Sequence, residues 1–197
     1  AGDVQKKLYP GDIVRVAPGV YQPTNYQGFL LLYRSGNSAA PITYQGGPGV
    51  IIDKSLWDGT GPFNLGMQIE TDYTIIDGFE FCNAQMGIYL GGSPPGGGTN
   101  DDVVRNCIFH GLRPLRIGGT CTDYIPSWAV GIYPSWCQGN HTFEHNLFYD
   151  IGVPGLVPQN ACGNDNWSYA IGGPAMTNIK IYNNTVVGTW RAIQSHV

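Results

Sequence analysis

Apolar and polar residues alternate along this chain in short bursts, and the bursts come in pairs. Thr74-Ile75-Ile76 leads through Gly78 into Phe79-Glu80-Phe81, and Val103-Val104 leads through Asn106 into Cys107-Ile108-Phe109. Thr142-Phe143 passes through His145 into Asn146-Leu147-Phe148, and Ile179-Lys180-Ile181 passes through Asn183 into Asn184-Thr185-Val186. Such alternation predicts strands with one buried face. Gly and Asn at the joint tolerate the positive φ of a sharp bend, and His does so less readily. The repeating unit is therefore strand, tight bend, strand. Phe79, Cys107, Asn146 and Asn184 occupy equivalent positions, separated by 28, 39 and 38 residues.

A second ladder follows the first: Gly87-Ile88-Tyr89, Gly131-Ile132-Tyr133, Ala170-Ile171-Gly172 and Ala192-Ile193-Gln194. Its steps are 44, 39 and 22 residues, and the last is the length of one turn of a three-sided coil of short strands. Longer steps are that coil plus insertions, which fall at 91–101, 111–128, 134–141 and 150–168. A lone rung cannot bury its apolar face, so such units must stack, with like side chains in register inside. An antiparallel sandwich also has short strands, but does not explain one order recurring in one sense.

At 197 residues the chain suits one domain, spanning 1–197, either complete or as a piece of a longer protein. Gly (29) and Pro (14) supply abundant turn chemistry, while 42% hydrophobic residues argue against disorder. A net charge of −4 gives no basic footprint for nucleic acid. The longest apolar run, Phe29-Leu30-Leu31-Leu32-Tyr33, is strand-sized, so no membrane span is expected. Five cysteines are an odd number, leaving at least one outside any internal disulfide. Cys121 and Cys162, in loops entering adjacent ladder strands, are the best pair, with Cys137 able to replace either. A disulfide would fit an extracellular or cell-surface location.

The stretch Gly11-Asp12-Ile13-Val14-Arg15-Val16-Ala17-Pro18-Gly19-Val20-Tyr21, the coil-like Pro41-Ile42-Thr43-Tyr44 and Gly47-Pro48-Gly49-Val50-Ile51-Ile52-Asp53, and the four echoes together resemble the right-handed parallel β-helix, pectate-lyase-like superfamily. The resemblance covers nearly the whole chain. It implies an all-β fold, a right-handed parallel β-helix of about five to six coils with long loop insertions. It does not fix an activity, because this superfamily holds lyases, hydrolases, epimerases, adhesins and phage proteins. Members usually carry a capping strand or helix. Here Gly2 to Leu8 precede the first strand and the chain ends at Ser195-His196-Val197 beside a ladder strand. The expectation is a fragment, or ends covered by a partner.

Enzymes of this superfamily bind polysaccharide in a groove, and the insertions could wall one beside the Ile88/Ile132/Ile171 ladder. Tyr124, Trp128, Tyr133, Trp136, Trp167 and Tyr169 are the candidate substrate-binding residues, since aromatic faces stack on sugar rings; equally, they could pack the loops onto the coil. Arg113-Pro114-Leu115-Arg116 is similar to the arginine motif of pectate lyases, with a spacing of Arg-Pro-x-Arg in place of Arg-x-Pro-x-x-Arg. The resemblance casts Arg113 and Arg116 as catalytic residues, a guanidinium being suited to a substrate carboxylate. Asp101 and Asp102 offer hard oxygen ligands for calcium, or an acid–base pair, although neighbours on a strand point to opposite faces. His141 and His145 are separated by a bend, which disfavours zinc.

Two functions follow. One is an extracellular carbohydrate-binding or carbohydrate-active β-helix, lyase-like on an acidic polysaccharide; as an enzyme it would be a polysaccharide lyase or glycoside hydrolase. The other is a structural subunit of a filament, coat or surface layer, self-assembling through open coil ends.

Overall fold

The computed structural model describes residues 7–31, 33–59, 63–91, 99–114, 128–135, 137, 139–152, 168–174, 176–189 and 191–196. Among them, eighteen strands form six coils of three. Coil 1 holds β1 (Ile13–Arg15), β2 (Gly19–Tyr21) and β3 (Phe29–Leu31); coil 2 holds β4 (Ile42–Gln45), β5 (Val50–Asp53) and β6 (Leu65–Ile69). Coil 3 holds β7 (Thr74–Asp77), β8 (Glu80–Cys82) and β9 (Met86–Leu90); coil 4 holds β10 (Val103–Arg105), β11 (Ile108–Leu112) and β12 (Ala129–Pro134). Coil 5 holds β13 (Thr142–Glu144), β14 (Leu147–Ile151) and β15 (Ser168–Pro174); coil 6 holds β16 (Lys180–Tyr182), β17 (Thr185–Val187) and β18 (Arg191–His196). Every third strand pairs in parallel with its counterpart one coil away. Sheet A begins with β1, sheet B with β2 and sheet C with β3, and each has six strands.

Register turns the sequence echoes into three interior ladders. Sheet A contributes Val14, Tyr44, Ile76, Val104, Phe143 and Ile181. Sheet B contributes Tyr21, Ile52, Phe81, Phe109, Phe148 and Val186. Sheet C contributes Phe29, Met67, Ile88, Ile132, Ile171 and Ile193. Phe81, Phe109 and Phe148 are sealed and stack at ring separations of 5.1 and 4.8 Å, each pair tilted by only 7°. Stacked rings of this kind add about 0.5–1.5 kcal/mol per pair beyond the area they bury.

The corners bend as the alternation predicts. Gly78, Asn106, His145 and Asn183, between sheets A and B, all have positive φ, from 54° to 78°. Asn83, Gly111, Asp150 and Gly188 do the same between sheets B and C. The left-handed region costs an L-residue about 1–2 kcal/mol, which a short polar side chain partly offsets. Directly after the first corner, Asn146 lies inside. Its Oδ1 accepts the Cys107 amide at 3.0 Å, and its Nδ2 donates to Val104 O and to Asn184 Oδ1, both at 3.0 Å. Amides thus satisfy the backbone groups that the bend removes from the sheet ladders.

Close approach decides residue size in sheet C. A Cβ on Gly87 or Gly131 would run into the Phe109 or Phe148 ring of the following coil and into a backbone carbonyl at 2.7 or 2.5 Å. Among the described residues, no helix is long and apolar enough to cross a membrane.

Candidate functional site

The outer face of sheet C carries a row of polar and aromatic side chains that alternate with the buried ladder. Gln68 pairs with Tyr89, and Tyr89 with Tyr133. The Tyr89 and Tyr133 rings stack 5.7 Å apart, and Trp128 stacks on Tyr133 at 4.8 Å. Tyr133 is therefore engaged by two parallel rings, so the row offers a ligand its hydroxyl edges and the exposed part of Trp128 rather than three free faces. Burial, with Tyr89 beside it, pushes the Tyr133 hydroxyl up to about 12. At one edge Gln68 Nε2 donates to Glu70 Oε1. At the other, Gln85 Nε2 donates to the Trp128 carbonyl at 3.2 Å, tying that segment to coil 3.

Of the aromatic residues expected to touch substrate, Trp128 and Tyr133 fall together here. Tyr169 is only 3% exposed and pairs with Val130 in the sheet, so its ring is not presented to a ligand. Tyr124, Trp136 and Trp167 lie outside the described residues, as do Arg116 and the cysteines Cys121 and Cys162. Cys137, the suggested substitute in a disulfide, is a free, buried thiol; burial pushes it up to about 11. Tyr89 is the residue that the sequence reading missed. Its signal was present, since Gly87-Ile88-Tyr89 repeats Gly131-Ile132-Tyr133.

Arg113 follows the Gly111 corner, directly after β11, where its amide donates to Ala84 O at 2.9 Å. Its Nη2 donates to both carboxylate oxygens of Asp150 at 2.8 Å. Its Nη1 donates to the backbone carbonyls of Asp150, at 2.6 Å, and Leu112, at 3.1 Å. Sheet B's outer face adds Asp53, Cys82, His110 and Tyr149, one per coil. His110 Nε2 meets Glu80 Oε1 at 2.8 Å, and its ring stacks parallel to that of Tyr149 at 4.9 Å. Burial pushes the Cys82 thiol up to about 11, with the Asp53 and Glu80 carboxylates adding to it, so it is held as a thiol rather than a nucleophilic thiolate.

Asp101 and Asp102 do not open onto one site. Asp101 is a corner residue with φ of 54°, its Oδ1 accepting from Asn140 Nδ2 at 3.3 Å. Asp102 is fully buried, and its Oδ1 accepts the Thr74 amide at 2.8 Å. Among the described residues, no three His, Cys, Asp or Glu side chains are grouped so as to hold a metal ion.

No family model and no curated protein matches the sequence. Among solved structures, the chain is similar to the PL6 family alginate lyase AlyGC, with 16% identity and a TM-score of 0.56. That match covers 89% of this chain and 20% of AlyGC, so the chain spans about a fifth of its length. An alginate lyase from Paenibacillus sp. str. FPU-7 aligns over 98% of this chain and 94% of its own, at 14% identity, but its TM-score of 0.28 is too low to bear on the fold. With three parallel six-strand sheets and this likeness, the chain has an all-β parallel β-helix fold of six coils.

Proposed function

We propose that this chain is the coil portion of an extracellular or cell-surface carbohydrate-active protein that binds an acidic polysaccharide across the outer face of sheet C, with a polysaccharide lyase as its enzymatic form. The observation that carries this reading is the Gln68–Tyr89–Tyr133 row with Trp128 against it, on the sheet beside which the insertions fall. Hydroxyl and amide edges in register along a coil suit a linear polymer, whose sugar units also present hydroxyls at regular spacing. The fold neighbour AlyGC is described as an alginate lyase, and alginate is a polyuronate, which supports the acidic class. Arg113 is the described residue best suited to a uronate carboxylate. Calcium remains part of the proposal as a bridge between polymer and protein carboxylates.

Incubation with alginate, polygalacturonate and neutral glucans, with and without calcium, tests the reading. Expected are retention of the uronate polymers and, for a lyase, an unsaturated ultraviolet-absorbing product. Neither retention nor product from any uronate polymer would overturn it.

A further inference from the structure

We propose that Asp150 occupies, within this chain, the seat of a uronate carboxylate on Arg113, so that the pair is a carboxylate-binding site closed by its own side chain. The inference rests on the acidic-polysaccharide reading above and names the group that would recognise the acid. The two terminal nitrogens of the guanidinium have different partners. Nη1 is fixed by main-chain carbonyls, those of Leu112 and Asp150, and keeps them wherever the Asp150 side chain goes. Nη2 donates to the two Asp150 carboxylate oxygens. Removing that carboxylate therefore leaves an arginine still aimed, with Nη2 open to another carboxylate.

Exchange is inexpensive because both side chains are well exposed, 41% for Arg113 and 46% for Asp150. Exposed pairs of this kind contribute little net stability, so an incoming carboxylate replaces like with like while Asp150 returns to water. The backbone conformation favours glycine or a short polar side chain, but does not require a charge. Position 150 is a corner of positive φ (53°), and the equivalent corners carry Asn83, Gly111 and Gly188, all of them uncharged. Asp150 thus accepts a strained conformation that glycine adopts freely, and the use visible for its carboxylate is to cover Arg113. The site also stands where sheet B turns toward sheet C, at the start of the interruption that precedes Trp128.

Alginate and polygalacturonate oligomers, with carboxyl-reduced oligomers as the neutral control, are titrated calorimetrically into wild type, Asp150→Asn, Asp150→Gly, Arg113→Ala and the Arg113→Ala/Asp150→Asn double variant. Expected is binding about tenfold tighter for Asp150→Asn and Asp150→Gly, with the gain abolished in the double variant and absent for the reduced oligomers. Asp150→Gly relieves the backbone strain, and its melting temperature checks that folding is intact. If wild type binds uronate oligomers but neither Asp150 variant binds more tightly, or the double variant keeps the gain, the self-closed site is refuted while the function stands. If no variant binds any uronate oligomer, both are refuted.

Discussion

Asp102 and His141 face each other inside the corner between sheets C and A, with Oδ2 3.6 Å from Nδ1. Nδ1 already accepts Asp102's own amide at 3.3 Å, and Nε2 meets Thr99 O at 2.9 Å, so the imidazole proton sits on Nε2. An ionised Asp102 would set Oδ2, which has no hydrogen-bond partner among the described residues, against the Nδ1 lone pair. A proton on Oδ2 removes that conflict. Burial, the largest cause, raises the Asp102 carboxyl well above its usual range, and burial lowers His141.

The pH consequence has a definite sign. The folded state holds the Asp102 proton to higher pH than the unfolded chain, so the stability from this group falls as pH rises from about 4 through the raised folded value. Asp102→Asn keeps the shape and carries no such proton. Its melting temperature is expected to gain on wild type steadily as pH rises over that window. Parallel curves for the two proteins would show that Asp102 is ionised in the fold.

Much of the scaffold was legible because its period is a covalent fact of the chain. The bends at Asn106, His145 and Asn183, and the Phe81–Phe109–Phe148 column, follow from alternation and offset alone. The site was less so. Glu80 and His110, or Arg113 and Asp150, are about one coil apart in sequence, and only the register across coils brings them together. The Asp101–Asp102 pair was misjudged for a local reason. Asp101 is not in a strand but forms the bend itself, which sends Asp102 inward. Tyr133 was a candidate either to meet a sugar ring or to pack a loop, and sequence could not show that Tyr89 and Trp128 already stack on it.

Lys54 is sealed, only 1% exposed, with Nζ donating to Pro23 O at 2.7 Å and Asn25 O at 2.5 Å. Burial lowers its ammonium to about 8, opposed by Asp58. Between about 8 and its ordinary 10.5 the unfolded chain binds more protons, so stability from this group rises with pH there. Lys54→Met removes that dependence. Wild type should therefore gain on the variant in chemical denaturation between those pH values.

Asn146→Ala strands the Cys107 amide and the Val104 carbonyl in the interior. At roughly 1–3 kcal/mol for each buried group left unpaired, the loss should be about 3 kcal/mol. Asn146→Asp should be worse, since a carboxylate would face Val104 O and Asn184 Oδ1. Urea midpoints measure both.

Trp128→Ala removes the ring stacked on Tyr133 while leaving the carbonyl that holds Gln85. Affinity electrophoresis in uronate gels should show retention about tenfold weaker, equivalent to about 1.4 kcal/mol. Unchanged retention with an unchanged melting temperature would remove Trp128 from the binding face.

The glycines of sheet C are the negative image of the phenylalanines of sheet B. Gly66, Gly87 and Gly131 each lie against the ring of the next coil, Phe81, Phe109 or Phe148. In the last coil the ring gives way to Val186, and the matching sheet C position becomes Ala170. The interior is therefore inherited in couples that straddle two coils. A coil cannot be exchanged, deleted or transplanted as a self-contained module, because half of its fit is written in the coil before it.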